Sequence, residues 1–470
     1  MNSRCWFRLP QIMTIILFAS LVLPACGVNN NSERARISEV GRNNQIIKNQ
    51  SANNPHQSQS FRLESVIREQ PTNNADIRQI QVHFPDSALA NLRNKILATE
   101  WPEKETVSDQ SQGVPLETTQ RLAKYWATNY DWRKVEAKLN SLPQYLINID
   151  GVDIHFIHVQ SKHKNALPIL ITHGWPGSII EQLKIIDPLT NPTAYGGKAS
   201  DAFDVVIPSM PGYGFSGKPT TVGWGPEHIA KVWSKLMKRL GYTKYVAQGG
   251  DWGAVITDLM AVQKSPGLVG IHTNMPGVFP PEIDKAVQSA AFIRSPLPSG
   301  LSAEEKRAVK QLEFFYKHSG YAYLMGTRPQ TQTGLVDSPV ALATYMIDHD
   351  AKSLDLISRV FAGQPEGLSP DDVLDNITLF WLTKTAISAA RLYWERQEKN
   401  ISFFAAKGVK IPAGVSVFPD EMYEAPKSWS KKAYPKLIHY NKLPKGGHFA
   451  AWEQPKYLVD EIRATFRTLR

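Results

Sequence analysis

Cysteine is almost missing from this chain of 470 residues: only Cys5 and Cys26 occur, both near the start. Everything after Cys26 is free of thiols, which excludes a disulfide framework and a thiolate metal site from the folded region. Dense basic blocks are lacking too. The formal charge is +10, with a pI near 9.3, yet the 53 Lys and Arg residues are interspersed with 43 Asp and Glu. Such a charge reads as surface background and argues against nucleic-acid binding. Internal repeats are absent. The apolar run Ile12 to Leu23, about a dozen residues, is too short to span a bilayer comfortably. What the chain does have is a hydrophobic fraction of 42% and an aromatic fraction of 10%, ample for a large core.

That apolar run follows Arg4 and Arg8 and precedes Pro24-Ala25-Cys26-Gly27. A basic start, a short apolar stretch and a small residue before the cut describe an export signal. Leu23-Pro24-Ala25-Cys26 resembles a bacterial lipobox, with Cys26 as the lipidated new N-terminus and Pro24 off-pattern; an uncleaved membrane anchor is the alternative. From Gly27 to about residue 75 the chain is rich in Asn, Gln and Ser with few large apolar residues, so a flexible polar tether is expected. The expected location is therefore outside the cytoplasm, on the periplasmic face of a bacterial envelope. Gly27 rather than Asp after the cysteine mildly favours the outer membrane.

From about Asp76 the texture is globular. Phe84 to Leu97 opens with a helix start signal, and helices are also predicted over Gln120 to Asn129 and Asp131 to Leu139, with Trp126 and Trp132 in the core. A hairpin turning at Asp150-Gly151 follows. The short apolar runs Ile169 to Thr172, Val205 to Pro208, Tyr245 to Gln248, Val415 to Phe418 and Leu437 to Tyr440 read as buried strands of a mostly parallel α/β sheet. Between Pro276 and Asn400 only helical patterns occur, such as Ala303 to Ser319 and Ile377 to Glu398, the layout of a cap over the strand ends. The division is thus 1–26 signal, 27–75 tether, 76–143 N-terminal extension, 144–275 and 401–470 the two parts of the core, and 276–400 the cap.

Within that core, Gln248-Gly249-Gly250-Asp251-Trp252-Gly253 runs from a strand into a helix. Gly249 and Gly253 keep the frame of the G-x-S-x-G elbow, which needs small residues on either side of the nucleophile, but the apex carries Asp251. A carboxylate needs no base to activate it and forms an ester on the carbon it attacks, which suits an epoxide or an alkyl halide. An aspartate capping a helix is the plainer explanation of the same residue. The order nucleophile, acid, histidine is completed by His448 in Lys445-Gly446-Gly447-His448 after the last strand, and by Asp420 or Glu421 after an earlier one; spacing does not choose between the two carboxylates. The backbone N–H groups of Trp252 and of Trp175, in His173-Gly174-Trp175-Pro176-Gly177, are candidate oxyanion donors. Met210 to Ser216 reads as structural. Opening an epoxide also needs an acid for the ring oxygen. Tyr316, Tyr321, Tyr323, Tyr345 and Tyr393 lie in the cap, and composition cannot pick among them.

Taken together, Tyr130-Asp131-Trp132-Arg133, Ile149 to His158, His173 to Ser178, Pro208 to Ser216, Gly249 to Gly253 and Gly446 to Ala451 resemble the microsomal-type epoxide hydrolases, over most of the chain from about Asp76 onward. The resemblance implies a capped α/β-hydrolase fold with an N-terminal extension that wraps the core. It implies Asp251 as nucleophile, His448 as base, Glu421 rather than Asp420 as the acid behind it, and Tyr321 and Tyr393 as proton donors. It implies a small hydrophobic epoxide as substrate, no cofactor and no metal, with detoxification or aromatic hydrocarbon catabolism as the setting; a homodimer is left open. The eukaryotic relatives carry a membrane anchor helix where this chain has its lipoprotein-like front end. The alternatives are a haloalkane dehalogenase, which shares the Asp-Trp elbow and would need halide donors in place of the phenols, and a tethered binding lipoprotein without turnover.

Overall fold

The computed structural model describes residues 66–70, 76–289 and 299–470. The signal, Cys26 and the tether up to residue 65 lie outside the described residues. Among the described residues no helix is long and apolar enough to cross a membrane.

The core is one sheet of ten strands: β1 (Ile67–Gln70), β2 (Ile77–Val82), β3 (Gln144–Ile149), β4 (Val152–Val159), β5 (Leu167–Thr172), β6 (Phe203–Pro208), β7 (Tyr245–Gly249), β8 (Leu268–Thr273), β9 (Ala413–Val417) and β10 (Leu437–Lys442). Their spatial order is β1-β2-β3-β4-β6-β5-β7-β8-β9-β10. The first four strands are antiparallel, and β4 pairs antiparallel with β6. From β6 to β10 every pairing is parallel. The sequence explains that division. The expected hairpin joins β3 to β4 through Asp150 (φ 55°) and Gly151 (φ 86°), and two positive φ values make a tight turn whose twist matches the strands. The inner parallel strands β5, β6, β7 and β9 are nearly continuous apolar, buried runs, whereas β10 at the sheet edge is half polar.

Three other strands escape the apolar pattern. β1 is a mostly polar edge strand, and β2, half polar, lies inside it and brings the extension into the sheet beside β3. β8 carries Gly270 and His272 between its apolar residues. A Cβ on Gly270 would stand 2.4 Å from Leu469, and the His272 ring reaches the Ser416 hydroxyl of β9 at 2.9 Å.

The cap leaves the sheet after β8 and returns before β9. Its exit and return segments run side by side, with Phe279 bridging Ala405. Among the described residues it is helical throughout. The single helix expected over Ile377 to Glu398 is two, Pro370–Thr383 and Ala386–Glu398. The chain breaks at Lys384, which takes φ 55° and ends the first helix in the left-handed region; periodicity does not register one such residue. The break redirects the second helix, which carries Tyr393.

Candidate active site

β7 delivers Asp251. The carboxylate belongs to the first residue of the helix Asp251–Val262, with φ 47°, a conformation side chains rarely adopt. The turn is that tight because two glycines allow it. A Cβ on Gly249 would lie 2.2 Å from the backbone of Gly253, and one on Gly253 would lie 1.9 Å from the Thr172 carbonyl oxygen at the end of β5. The helix therefore presses against the sheet, and Asp251 is 4% exposed at the strand ends. The Trp175 N–H donates to Asp251 Oδ1 at 2.7 Å, and the Trp252 N–H also reaches the carboxylate. Gly174 leaves room for this contact: a Cβ there would collide with Oδ1 at 2.1 Å. Burial raises the Asp251 pKa, offset in part by His448, His349 and the two amides.

The loop after β10 brings His448 opposite. Gly446 has φ 106°, and the Glu453 carboxylate accepts from the Gly447 and Phe449 amides at 2.9 and 3.0 Å, holding the loop closed. His448 Nδ1 meets Glu421 Oε1 at 2.7 Å, and its Nε2 faces Asp251 Oδ2 at 3.7 Å, too long for a hydrogen bond. Glu421 Oε1 also accepts from the Met422 amide at 2.8 Å. Asp420 points away and pairs with Lys352 at 3.2 Å near solvent. The two adjacent carboxylates thus separate cleanly. Burial alone would depress the His448 pKa, yet the charge and hydrogen bond of Glu421, with Asp251 and Asp350 beyond, hold it well above the ordinary imidazole value.

From the cap, Tyr321 and Tyr393 meet above this group. Their ring centroids are 6.0 Å apart, with the rings nearly perpendicular. Tyr393 stands edge-on to the Trp252 indole at 4.8 Å. Burial and then the neighbouring Asp251 charge push the Tyr321 phenol well above its usual value; burial dominates for Tyr393 too. Both phenols keep their protons at neutral pH. The other cap tyrosines lie elsewhere: Tyr323 is exposed, Tyr316 is beside Asp284, and Tyr345 donates to the Tyr321 carbonyl. Met210 to Ser216 packs as structure, with Ser216 Oγ bonded to the Ser209 carbonyl and the His155 amide.

Three further groups were not singled out from the sequence. His349 and Asp350 lie between cap helices, and the His349 ring stacks on His448 at 4.6 Å. Glu181 is buried near Asp251 and His448, where desolvation lifts its pKa to about 8. The string Asp348-His349-Asp350 was the signal available for the first two; nothing in Ser178-Ile179-Ile180-Glu181 marks the third. A cavity of about 590 Å³, lined by Phe314, Phe315, Leu354 and Met422, reaches the site at His349 and Glu421. That volume suits a substrate of moderate size, bound largely through apolar contact.

Known proteins resemble this chain. Residues 77–182 match the family described as epoxide hydrolase N terminus, and residues 168–310 match the alpha/beta hydrolase fold. A protein of Stigmatella aurantiaca, provisionally named an epoxide hydrolase, is 50% identical over 84% of this chain and 86% of its own length. Epoxide hydrolase 1 of Sus scrofa is 33% identical over 82% of this chain and 88% of its own. Among solved structures, the juvenile hormone epoxide hydrolase of Bombyx mori superposes with a TM-score of 0.72 at 28% identity, covering 84% of this chain and 96% of that one.

Proposed function

The chain belongs to the epoxide hydrolase family, and from that premise we propose that it opens an apolar epoxide to a vicinal diol through a covalent ester on Asp251. The observation that carries the proposal is the disposition of one carboxylate. Asp251 has one oxygen held by the Trp175 amide, the other turned to His448, and two protonated phenols overhead.

In the first step an Asp251 oxygen attacks the less hindered epoxide carbon, and the carbon–oxygen bond of the ring breaks. The leaving oxygen takes a proton from Tyr321 or Tyr393, whose partner phenol donates a hydrogen bond to it. In the second step His448 Nε2 removes a proton from water, and the hydroxide attacks the Asp251 carboxyl carbon. The Trp175 and Trp252 amides hold the resulting oxyanion. The ester collapses to a diol, and the proton on His448 restores the phenol. Esterification removes the Asp251 charge, one of those holding a proton on His448, so the first step itself favours the neutral imidazole that the second requires.

A single turnover in heavy-oxygen water tests this route. Label should appear in the Asp251 peptide, because hydrolysis of the ester exchanges a carboxylate oxygen. Diol formed with Asp251 unlabelled would mean direct attack by water and would end the covalent reading. Halide released from a haloalkane, with no diol from an aryl epoxide, would move the chain to dehalogenation.

For the front end, the reading is lipidation at Cys26 and a polar tether that holds the enzyme at the periplasmic face of a bacterial envelope, on the outer membrane. Its support is the basic, apolar and small-residue order before Cys26. The mass of the N-terminal peptide should carry a diacylglycerol, lost in Cys26→Ser; an unmodified cysteine would refute the anchor.

A further inference from the structure

Two histidine–carboxylate pairs, not one, converge on Asp251. Glu421 engages His448 Nδ1 at 2.7 Å, and Asp350 engages His349 Nδ1 at 3.0 Å. Each carboxylate fixes its imidazole by one nitrogen and leaves Nε2 free to bind. The two rings are stacked 32° from parallel, and both side chains are 1% exposed. His349 Nε2 is buried without a hydrogen-bond partner. A ligand atom from each of Asp251, His349 and His448 lies within 4.8 Å of the others. The mechanism above assigns His349 no task, so this buried donor is unexplained by it.

We propose that the resting site binds one divalent transition cation of the zinc class on Asp251, His349 and His448, and that the bound ion switches the enzyme off. The donor set, two imidazoles and a carboxylate, suits zinc, cobalt or nickel far better than magnesium or calcium. Carboxylates behind ligating histidines are the usual outer support of such sites, setting ring orientation and basicity. Ligands about 2.1 Å from a tetrahedral ion stand about 3.4 Å apart, so atoms up to 4.8 Å apart must draw together by up to about 1.4 Å. Asp350 is itself anchored, accepting from the Lys352 and Ser353 amides at 3.0 and 2.9 Å. The cavity ends against His349, one of the three ligands. An ion there occupies the carboxylate that would attack the epoxide and the imidazole that would activate water. This consequence rests on the roles proposed above, whereas the binding itself does not.

Calorimetry of the full chain with zinc, in the absence of substrate, tests the binding separately from catalysis. The expected result is one tight equivalent in the native protein and none with magnesium. Affinity should fall about 10–100-fold in Asp350→Asn, as for loss of an outer-shell partner, and further in His349→Gln. Cobalt added to the unmodified protein should give the visible bands of a low-coordinate ion without a thiolate charge-transfer band, and these should fade when diol or epoxide is added. That measurement needs no variant to fold. Zinc should inhibit diol formation competitively with the epoxide, and a chelator should restore it. Equal zinc binding by native protein and His349→Gln, or cobalt spectra of the hydrated ion alone, would overturn the site. Binding as described without inhibition would keep the site but refute the proposed roles of Asp251 and His448.

Discussion

The core and the cap hold their functional groups in different ways. Asp251, Glu421 and His448 sit on turns that leave parallel strands, and backbone amides fix them or their loops: Trp175 on Asp251, Met422 on Glu421, and the Gly447 and Phe449 amides on Glu453 beside His448. Tyr321 and Tyr393 project from helices and are placed by aromatic rings, chiefly Trp252, Tyr345 and His349. A hydrogen bond from a sheet end tolerates little displacement, whereas ring packing can be re-cut without losing the fold. The core should therefore govern whether bonds are made and broken, and the cap which epoxide is accepted and how its oxygen is protonated.

The comparison breaks first at the nucleophile. Asp251→Ala should lower diol formation by roughly 10⁴-fold or more, the scale seen when a covalent nucleophile is removed, with substrate still bound. Retention of a tenth of the activity would place the covalent step elsewhere. Next, Glu421→Gln should slow ester hydrolysis by about 10²–10⁴-fold, since the amide no longer stabilises the imidazolium. Asp420→Asn, altering a solvent-side pair with Lys352, should stay within a few-fold. Rapid-quench measurement should find ester accumulating in the first variant alone; accumulation in the second would reverse the assignment. The cap phenols should show a graded effect. Tyr321→Phe and Tyr393→Phe should each slow ester formation by about 10²-fold, with one donor remaining, and the double variant far more. Ester hydrolysis should be nearly unchanged in all three, and an equal loss in both steps would mean that the cap positions the core rather than donating protons.

The smallest effect concerns stability. Glu181 has a folded-state pKa raised by burial to about 8. A carboxyl of this kind favours the fold while protonated, so its contribution is complete below the unfolded value and is lost as pH rises through the folded one. Glu181→Gln cannot ionise. The unfolding free energy of the native protein, measured by denaturant titration, should fall relative to that variant between about pH 5 and pH 8, at up to about 1.4 kcal/mol per pH unit. A constant gap across that range would mean that Glu181 is ionised throughout.

What could be read from the chain beforehand follows the same division. The elbow, the His173 to Gly177 loop and the His448 loop were legible because each packs its chemistry into a few consecutive residues with obligatory glycines. β8 was not legible, because Gly270 and His272 belong there for reasons held by Leu469 and Ser416, far away in sequence. Nor was the break at Lys384, since a single left-handed residue leaves the apolar period on both sides intact. Spacing left Asp420 and Glu421 equal; the Phe418 to Tyr423 turn sends one to solvent and the other to His448.

By itself, then, the sequence determined the parallel core, the carboxylate at the elbow and the order of its partners, because strand patterning and tight turns are local and leave few alternatives. Only the tertiary structure decided that the Tyr321 and Tyr393 rings meet edge to face, and that His349 and Asp350 stand beside His448. Those neighbours come from three cap segments and a core loop, and their meeting depends on how helices pack, which no local pattern encodes.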